Sequence, residues 1–147
     1  MQIGPMTLTA LAGASLAVQV GMNATMRGHA GSAMAAALVN FAVGTLFLLG
    51  VVLLGRNSIA AVAGVGVAPW WAWGAGILGG LYIAASAAFG PVIGGATFLA
   101  LIVAGQMAAA LALDHYGLLG FPVRPLDAWR FGGALLVIAG MFLLARQ

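Results

Sequence analysis

An apolar stretch too long for one membrane crossing constrains this chain more than any other feature. From Pro69, apolar residues continue almost without interruption to Leu113, a run of 45 residues. One helix of that length would extend for roughly 68 Å at about 1.5 Å per residue, whereas the hydrocarbon core of a bilayer is about 30 Å thick. The run therefore predicts two helices that cross a membrane in opposite directions, with the break at residues 89–91, Phe-Gly-Pro.

The composition of the whole chain also predicts a membrane protein. Hydrophobic residues make up 64% of the 147 residues and charged residues only 5%, whereas about a quarter of the residues in soluble domains are charged. The net charge of +3 comes from five scattered arginines, which form no basic patch for nucleic acid. The chain has no cysteine, so disulfides and thiol chemistry are excluded.

The apolar segments predict an all-α integral membrane protein with five transmembrane helices in a single domain, residues 1–147. Each segment approaches the roughly 20 residues that a crossing requires and is apolar around most of its circumference. The predicted spans are residues 7–26, 32–54, 70–88, 91–113 and 129–145. The N-terminal segment lacks the basic region of a signal peptide, so we expect it to remain as the first span.

The arginines give little preference for one orientation. Five spans place Arg56, Arg124 and Arg130 on one side of the membrane and Arg27 and Arg146 on the other. Orientation follows the excess of Lys and Arg in cytoplasmic loops, and three against two is a small excess. Either the chain inserts with its N-terminus inside, or copies insert both ways and pair as an antiparallel, dual-topology homodimer. We favour the homodimer, because it gives a ten-helix inverted repeat of the kind that transporters use.

Motifs in four of the predicted spans resemble those of a known family. They are Q-x-x-x-N from Gln19, N-F-x-x-G-T from Asn40, W-x-W-x-x-G-x-x-G from Trp71, and a G-Q pair at Gly105 followed after seven residues by D-H-x-G. In order and spacing they resemble the YdcZ-like half-size members of the drug/metabolite transporter (DMT) superfamily, over nearly the whole chain. The resemblance implies five-helix subunits that occur as dual-topology homodimers, paired genes or fused ten-helix proteins, and a transport role with poorly defined substrates.

Uncharged polar side chains lie at depth in three of the predicted spans. The four amides among them are Gln19, Asn23, Asn40 and Gln106. Polar groups at such depth are costly without a partner, so we expect the amides to converge on one cavity or seam. They either hydrogen-bond between helices, at about 0.6 kcal/mol per bond on average, or contact a transported solute. The predicted substrate-binding residues are these amides together with two aromatic residues of the third span, Tyr82 and Trp71.

No charged side chain lies deep in any predicted span. Proton-coupled cation export usually depends on an intramembrane carboxylate, so the sequence gives no support for that mechanism. Asp114, at the end of the fourth span, is expected to pair with Arg124 or Arg130, and His115 is expected to be solvated. We expect no metal site, since the two histidines fall on opposite sides of the membrane, and no cofactor. The sequence contains no nucleophile–base pair and no phosphate loop, which argues against an enzyme.

These features together predict a small-solute transporter of the cell (inner) membrane that works by alternating access around an amide-lined central site. Its expected partners are a small-molecule substrate, the lipid bilayer and a second copy of the chain. A dual-topology channel for a small ion or neutral solute is one alternative. A membrane partner protein that transports nothing itself is the other.

Overall fold

The computed structural model describes residues 3–54 and 64–146, and every regular element among them is helical. The five α-helices are α1 (Ile3–Ala30), α2 (Ala33–Leu54), α3 (Gly74–Ile93), α4 (Gly95–Tyr116) and α5 (Ala128–Leu144). Short 3₁₀ turns occupy Gly64–Val67, Trp70–Trp73 and Leu118–Gly120. Among the described residues, the predicted all-α class and the five predicted helices are therefore confirmed. Arg56 lies outside the described residues.

Four helical segments are long and apolar enough to cross a membrane. They are Gly4–Ala30, Ala33–Leu54, Trp70–Ile93 and Gly95–Tyr116. With 17 residues, α5 is also apolar but extends for only about 26 Å, slightly less than the roughly 30 Å of a hydrocarbon core. The fifth predicted span is thus present as a helix shorter than the other four. Most large apolar side chains of the described residues are exposed, as lipid-facing side chains must be.

The break between the third and fourth spans lies later than predicted. The prediction that residues 89–91 end the third span is wrong, because α3 continues through Pro91 to Ile93. Gly94 separates the helices instead, with a φ of +84° that residues bearing a Cβ rarely adopt. A proline close to the end of a helix removes one backbone hydrogen bond, whereas a positive φ turns the chain out of the helix.

Local caps account for four other helix ends. Gly31, with a φ of +76°, follows α1, and Ser32 Oγ accepts a hydrogen bond of 3.1 Å from the backbone N–H three residues on to begin α2. Gly117, with a φ of +62°, caps α4. The Asp127 carboxylate accepts a hydrogen bond of 2.8 Å from the N–H of Arg130 to begin α5.

The described residues form two compact units, one up to Val92 and one from Ile93 onward. In the first unit α1 packs against α2, and α3 contacts both. The second unit is an antiparallel hairpin of α4 and α5, since Thr97 hydrogen-bonds to Leu144 at one end and Asp114 pairs with Arg130 at the other. The assignment of residues 1–147 to a single transmembrane domain stays a prediction.

Small residues form most of the core of the first unit. Ala36 of α2 and Ala87 of α3 are fully buried, and a Cβ added at Gly79 of α3 would lie 3.0 Å from the ring of Phe41. Close helix contact within lipid depends on such small residues. They bring the three helices close enough for short polar side chains to meet.

Candidate functional site

A chain of hydrogen bonds joins polar side chains of the three helices in the first unit. Asn40 of α2 donates from Nδ2 to Oδ1 of Asn23 on α1, at 2.6 Å. Asn23 donates from its own Nδ2 to Oγ of Ser86 on α3, at 2.5 Å. The Ser86 hydroxyl donates to the carbonyl oxygen of Ile83 on its own helix, at 2.9 Å. We refer to Asn23, Asn40 and Ser86 as the polar cluster. Each member donates to the next in the order Asn40, Asn23, Ser86.

The polar cluster is buried at one end and partly open at the other. Asn23 is 1% exposed and Ser86 is fully buried, whereas Asn40 is half-buried. An unpaired buried amide costs about 1–3 kcal/mol, and the cluster bonds remove that penalty for Asn23. Asn40 retains its Oδ1 and one N–H hydrogen beyond its bond to Asn23. Asn40 is therefore the member best able to contact a solute.

The first unit holds no acidic residue, because residues 1–92 contain neither Asp nor Glu. Arg27 lies one turn after Asn23 on α1. Its Nη1 donates to the carbonyl oxygens of Ala88, at 3.1 Å, and Ala87, at 3.4 Å, on α3. The polar cluster is thus uncharged, with a cation one helical turn away.

Two other predicted residues lie one turn from members of the polar cluster. Gln19 precedes Asn23 on α1 and is half-buried, so both amides share a face of that helix. Tyr82 precedes Ser86 on α3 and is also half-buried. Both side chains extend the polar face of their helix beyond the cluster, and their contact with a solute stays a prediction.

The remaining two predicted residues are more exposed. Trp71 lies in the 3₁₀ turn before α3 and is 45% exposed. Gln106 is exposed on α4, in the second unit. Of the four predicted amides, the structure joins Asn23 and Asn40 by a hydrogen bond. A role for Gln106 or Trp71 in the same site stays a prediction.

Two features of the site were not predicted from the sequence, Ser86 and the contact made by Arg27. Ser86 has two alanines on each side, and a lone serine in a helix commonly bonds only to its own backbone. The available signal was its position one turn after Tyr82, which gives α3 a polar face. From the sequence, Arg27 was expected only to contribute charge on one side of the membrane, and nothing local to it indicates that α3 lies within its reach.

A second group of polar contacts joins the adjacent ends of α4 and α5. The Arg130 guanidinium pairs with the carboxylate of Asp114 and donates from Nη1 to the carbonyl oxygen of Arg124, at 2.7 Å. The predicted ion pair of Asp114 is therefore confirmed, with Arg130 as its partner. Arg124 contributes its backbone instead, since its N–H donates to the carbonyl oxygen of Asp114 at 2.7 Å.

His115 also has a specific partner in this group. Its Nδ1 accepts a hydrogen bond of 3.0 Å from the N–H of Leu126, and its ring packs edge-on against Tyr116. His115 is exposed, as expected, but the structure adds these two contacts to the predicted solvation. The loop after α4 folds back so that Leu126 lies beside His115 at the end of that helix. This path of the loop depends on the turn after Gly117, and the residues around His115 do not indicate it.

Two grooves between α4 and α5 are almost entirely apolar. One of about 600 Å³ is lined only by apolar residues and glycine, Val103 and Met141 among them. The other, of about 410 Å³, has His115 and Tyr116 at its rim. Solute sites usually contain a few convergent polar groups that orient the ligand. Neither groove contains convergent polar groups of this kind, whereas the polar cluster does.

Relatives of this chain align with almost its whole length. Residues 4–143 match the model of a family described as "Putative inner membrane exporter, YdcZ". The chain is 30% identical over 139 residues to the "Inner membrane protein YdcZ" of Escherichia coli (strain K12), and the alignment covers 92% of this chain and 91% of that protein. No solved structure matches the chain.

Proposed function

The chain belongs to the YdcZ family, whose model carries the description of an inner membrane exporter, and from that premise we propose that it carries a small, uncharged solute by alternating access. The family match and the four apolar helices of membrane length support a multi-pass transporter of the inner membrane. The proposed binding site is the open end of the polar cluster at Asn40, together with Gln19. Tyr82 and Trp71 are proposed to complete the site, and a role for Gln106 of the second unit stays a prediction of the sequence.

The observation that carries the proposal is the hydrogen bond between Asn40 and Asn23 inside an otherwise apolar group of helices. The bond orients the Asn40 amide while leaving it an unused acceptor and an unused donor. A pre-oriented amide at an apolar seam can bind a solute that offers one donor and one acceptor in return. This is the arrangement expected of a small-molecule site, in which few polar groups supply the specificity.

The distribution of charge supports an uncharged solute rather than a cation. The chain has two acidic residues, and both are engaged in the second unit: Asp114 with Arg130, and Asp127 as the cap of α5. A cation bound at the polar cluster would find no carboxylate in the first unit and would be repelled by Arg27, one turn away. A neutral amide or polyol meets neither obstacle.

The active form is proposed to be the antiparallel homodimer. The homodimer is supported by the small difference in arginine count between the two sides of the membrane, which favours neither orientation strongly. The test is a reporter fused to the C-terminus, compared between His29→Lys and Val123→Lys, which add charge to opposite predicted sides. The dimer predicts that the two changes shift the population of orientations in opposite directions. A single orientation that neither lysine alters would contradict it.

Transport is tested with purified protein in liposomes, using urea, acetamide and glycerol as neutral probes and tetramethylammonium as the cation. We expect saturable flux of a neutral probe and none of the cation. Asn40→Leu and Gln19→Leu should lower that flux at least tenfold while the protein remains folded. Ser15→Ala is the matched control, because the Ser15 hydroxyl bonds only to the carbonyl of Ala12 on the same helix. Normal flux in both leucine variants would contradict the proposed site.

The same flux measurements separate the two alternatives. Flux that rises linearly with solute concentration at rates near diffusion would indicate a channel rather than a carrier. No flux of any probe under any gradient would favour a partner protein that transports nothing itself.

A further inference from the structure

A proline inside α3 leaves a buried carbonyl without its helical donor. In an α-helix the carbonyl of Ala87 accepts a hydrogen bond from the N–H four residues later, and that residue is Pro91, which has none. Ala87 precedes the last turn of α3, so its carbonyl is not among those that every helix end leaves unpaired. Ala87 is fully buried, so neither water nor any other solvent molecule can reach it.

Arg27 of α1 supplies the missing donor. Its Nη1 lies 3.4 Å from the carbonyl oxygen of Ala87 and 3.1 Å from that of Ala88. The bond to Ala88 is the better formed, and the pair of carbonyls gives the guanidinium a surface of negative partial charge. A buried carbonyl left without any donor destabilises the fold, and the contact with Arg27 offsets that penalty.

Gly90 allows the two helices to approach at this point. A Cβ added to Gly90 would lie 2.6 Å from Cγ1 of Val20, a separation that real Cβ atoms essentially never show. Val20 and Gly90 are both buried. Residues 90 and 91 therefore act together: the glycine admits α1, and the proline exposes the carbonyl that Arg27 binds.

We propose that Arg27 is a positioning residue for the polar cluster, acting through the carbonyls that Pro91 makes available. Arg27 lies one turn after Asn23, and Ala87 directly follows Ser86. The Arg27 contact and the bond between Asn23 and Ser86 thus join the same two helices, α1 and α3. The Arg27 contact holds the turn of α3 that carries Ser86 at the distance where Asn23 can bond to it. Its effect on transport rests on the proposed function, whereas the contact itself does not.

A double-mutant cycle between Arg27 and Pro91 tests the contact. Pro91→Ala restores a backbone N–H that can bond to the Ala87 carbonyl, so it should make Arg27 less necessary. We expect Arg27→Gln to lower the midpoint of thermal unfolding in detergent by roughly 3 °C in the wild-type background. In the Pro91→Ala background the shift should fall to less than half of that value. Equal shifts in both backgrounds would overturn the proposal.

Arg146→Gln is the matched control, since Arg146 is an exposed arginine at the other end of the chain. If Arg27 merely anchors α1 at the membrane surface through its charge, the two substitutions should have similar effects, and both should be independent of Pro91. If Arg27→Gln alone fails to fold while the double variant folds, the coupling is present in its strongest form and supports the proposal.

The positioning role has its own spectroscopic readout. In protein labelled with ¹⁵N at asparagine, the Asn23 side-chain amide should shift in Arg27→Gln toward its position in Ser86→Ala, and should return when Pro91→Ala is added. Arg146→Gln should leave it unchanged. An Asn23 signal insensitive to Arg27→Gln would overturn the positioning role.

Transport distinguishes failure of this inference from failure of the proposed function. If wild-type protein moves no probe but the thermal cycle shows coupling, the proposed function fails and the contact stands. If wild-type protein transports acetamide and the cycle shows no coupling, only the proposed role of Arg27 is contradicted.

Discussion

Asn23 and Ser86 stand 63 residues apart in the sequence, and their side chains share a hydrogen bond of 2.5 Å between α1 and α3. Both are almost completely buried. Asn40 of α2 bonds to the other end of the Asn23 amide, so one asparagine links three helices. The bond between Asn23 and Ser86 is therefore one of the contacts that align α3 with the two helices that precede it.

Replacing Asn23 with alanine should destabilise the protein more than replacing Asn40. Asn23→Ala removes two interhelical bonds at a buried position and should lower the free energy of unfolding by about 2 kcal/mol. Asn40→Ala removes one bond at a half-buried position and should cost about 1 kcal/mol. Unfolding in detergent with increasing denaturant measures both, with Ser15→Ala as a control of unchanged stability. An equal or larger effect at Asn40 would show that Asn23 is not the centre of the cluster.

Gly90→Ala should destabilise the contact between α1 and α3, whereas Gly21→Ala should not. The new methyl at position 90 would lie 2.6 Å from Cγ1 of Val20, and overpacking of this kind costs about 1–3 kcal/mol. A Cβ at Gly21 meets nothing within 4 Å, so alanine there should be neutral or slightly stabilising. Thermal unfolding of the two variants gives the comparison. Val20→Ala should recover part of the loss in Gly90→Ala, and absence of any recovery would locate the strain elsewhere.

Arg124, in the loop before α5, and Arg130, in the first turn of α5, should respond differently to glutamine. Arg130→Gln removes the ion pair with Asp114 and the bond to the Arg124 carbonyl, and should reduce stability by about 1 kcal/mol at low salt. Arg124 contributes its backbone N–H and carbonyl, which glutamine retains, so Arg124→Gln should change stability by less than about 0.5 kcal/mol. Denaturant unfolding at low and high salt distinguishes them. The prediction is contradicted if the two variants are equally destabilised.

Two glycines with positive φ in the loop between α4 and α5 allow conformational strain to be separated from steric overlap. Gly117 and Gly120 have φ of +62° and +87°, and alanine at either position should cost about 1 kcal/mol for the left-handed backbone. At Gly117 the added Cβ would also lie 2.6 Å from Cγ2 of Val123, whereas at Gly120 it meets nothing within 4 Å. Gly117→Ala should therefore be the more destabilising in thermal unfolding. Adding Val123→Ala should reduce the destabilisation by Gly117→Ala to that of Gly120→Ala. A persistent difference between the two would argue against steric overlap with Val123.

The positions of the helices were largely predictable, because each follows from its own segment. The predicted second span, residues 32–54, differs from α2 by one residue, since Ser32 proved to be its cap. The break at residues 89–91 was wrong for an instructive reason. Phe-Gly-Pro reads locally as a helix end, yet Gly90 is needed where Val20 packs and Pro91 where Arg27 binds. Both contacts are made by residues of α1, so the sequence Phe-Gly-Pro by itself does not indicate them.

The sequence alone determined that this is a multi-pass, all-helical membrane protein with uncharged polar groups at depth. That conclusion needs only the solvation of each segment, because lipid cannot satisfy backbone hydrogen bonds and can accept apolar side chains on every face. The tertiary structure decided which polar groups meet: Asn23 with Ser86 and Asn40, and Arg27 with the carbonyls beside Pro91. A side-chain hydrogen bond forms only at close range, and the distance between donor and acceptor depends on how separate helices pack rather than on the composition of either one.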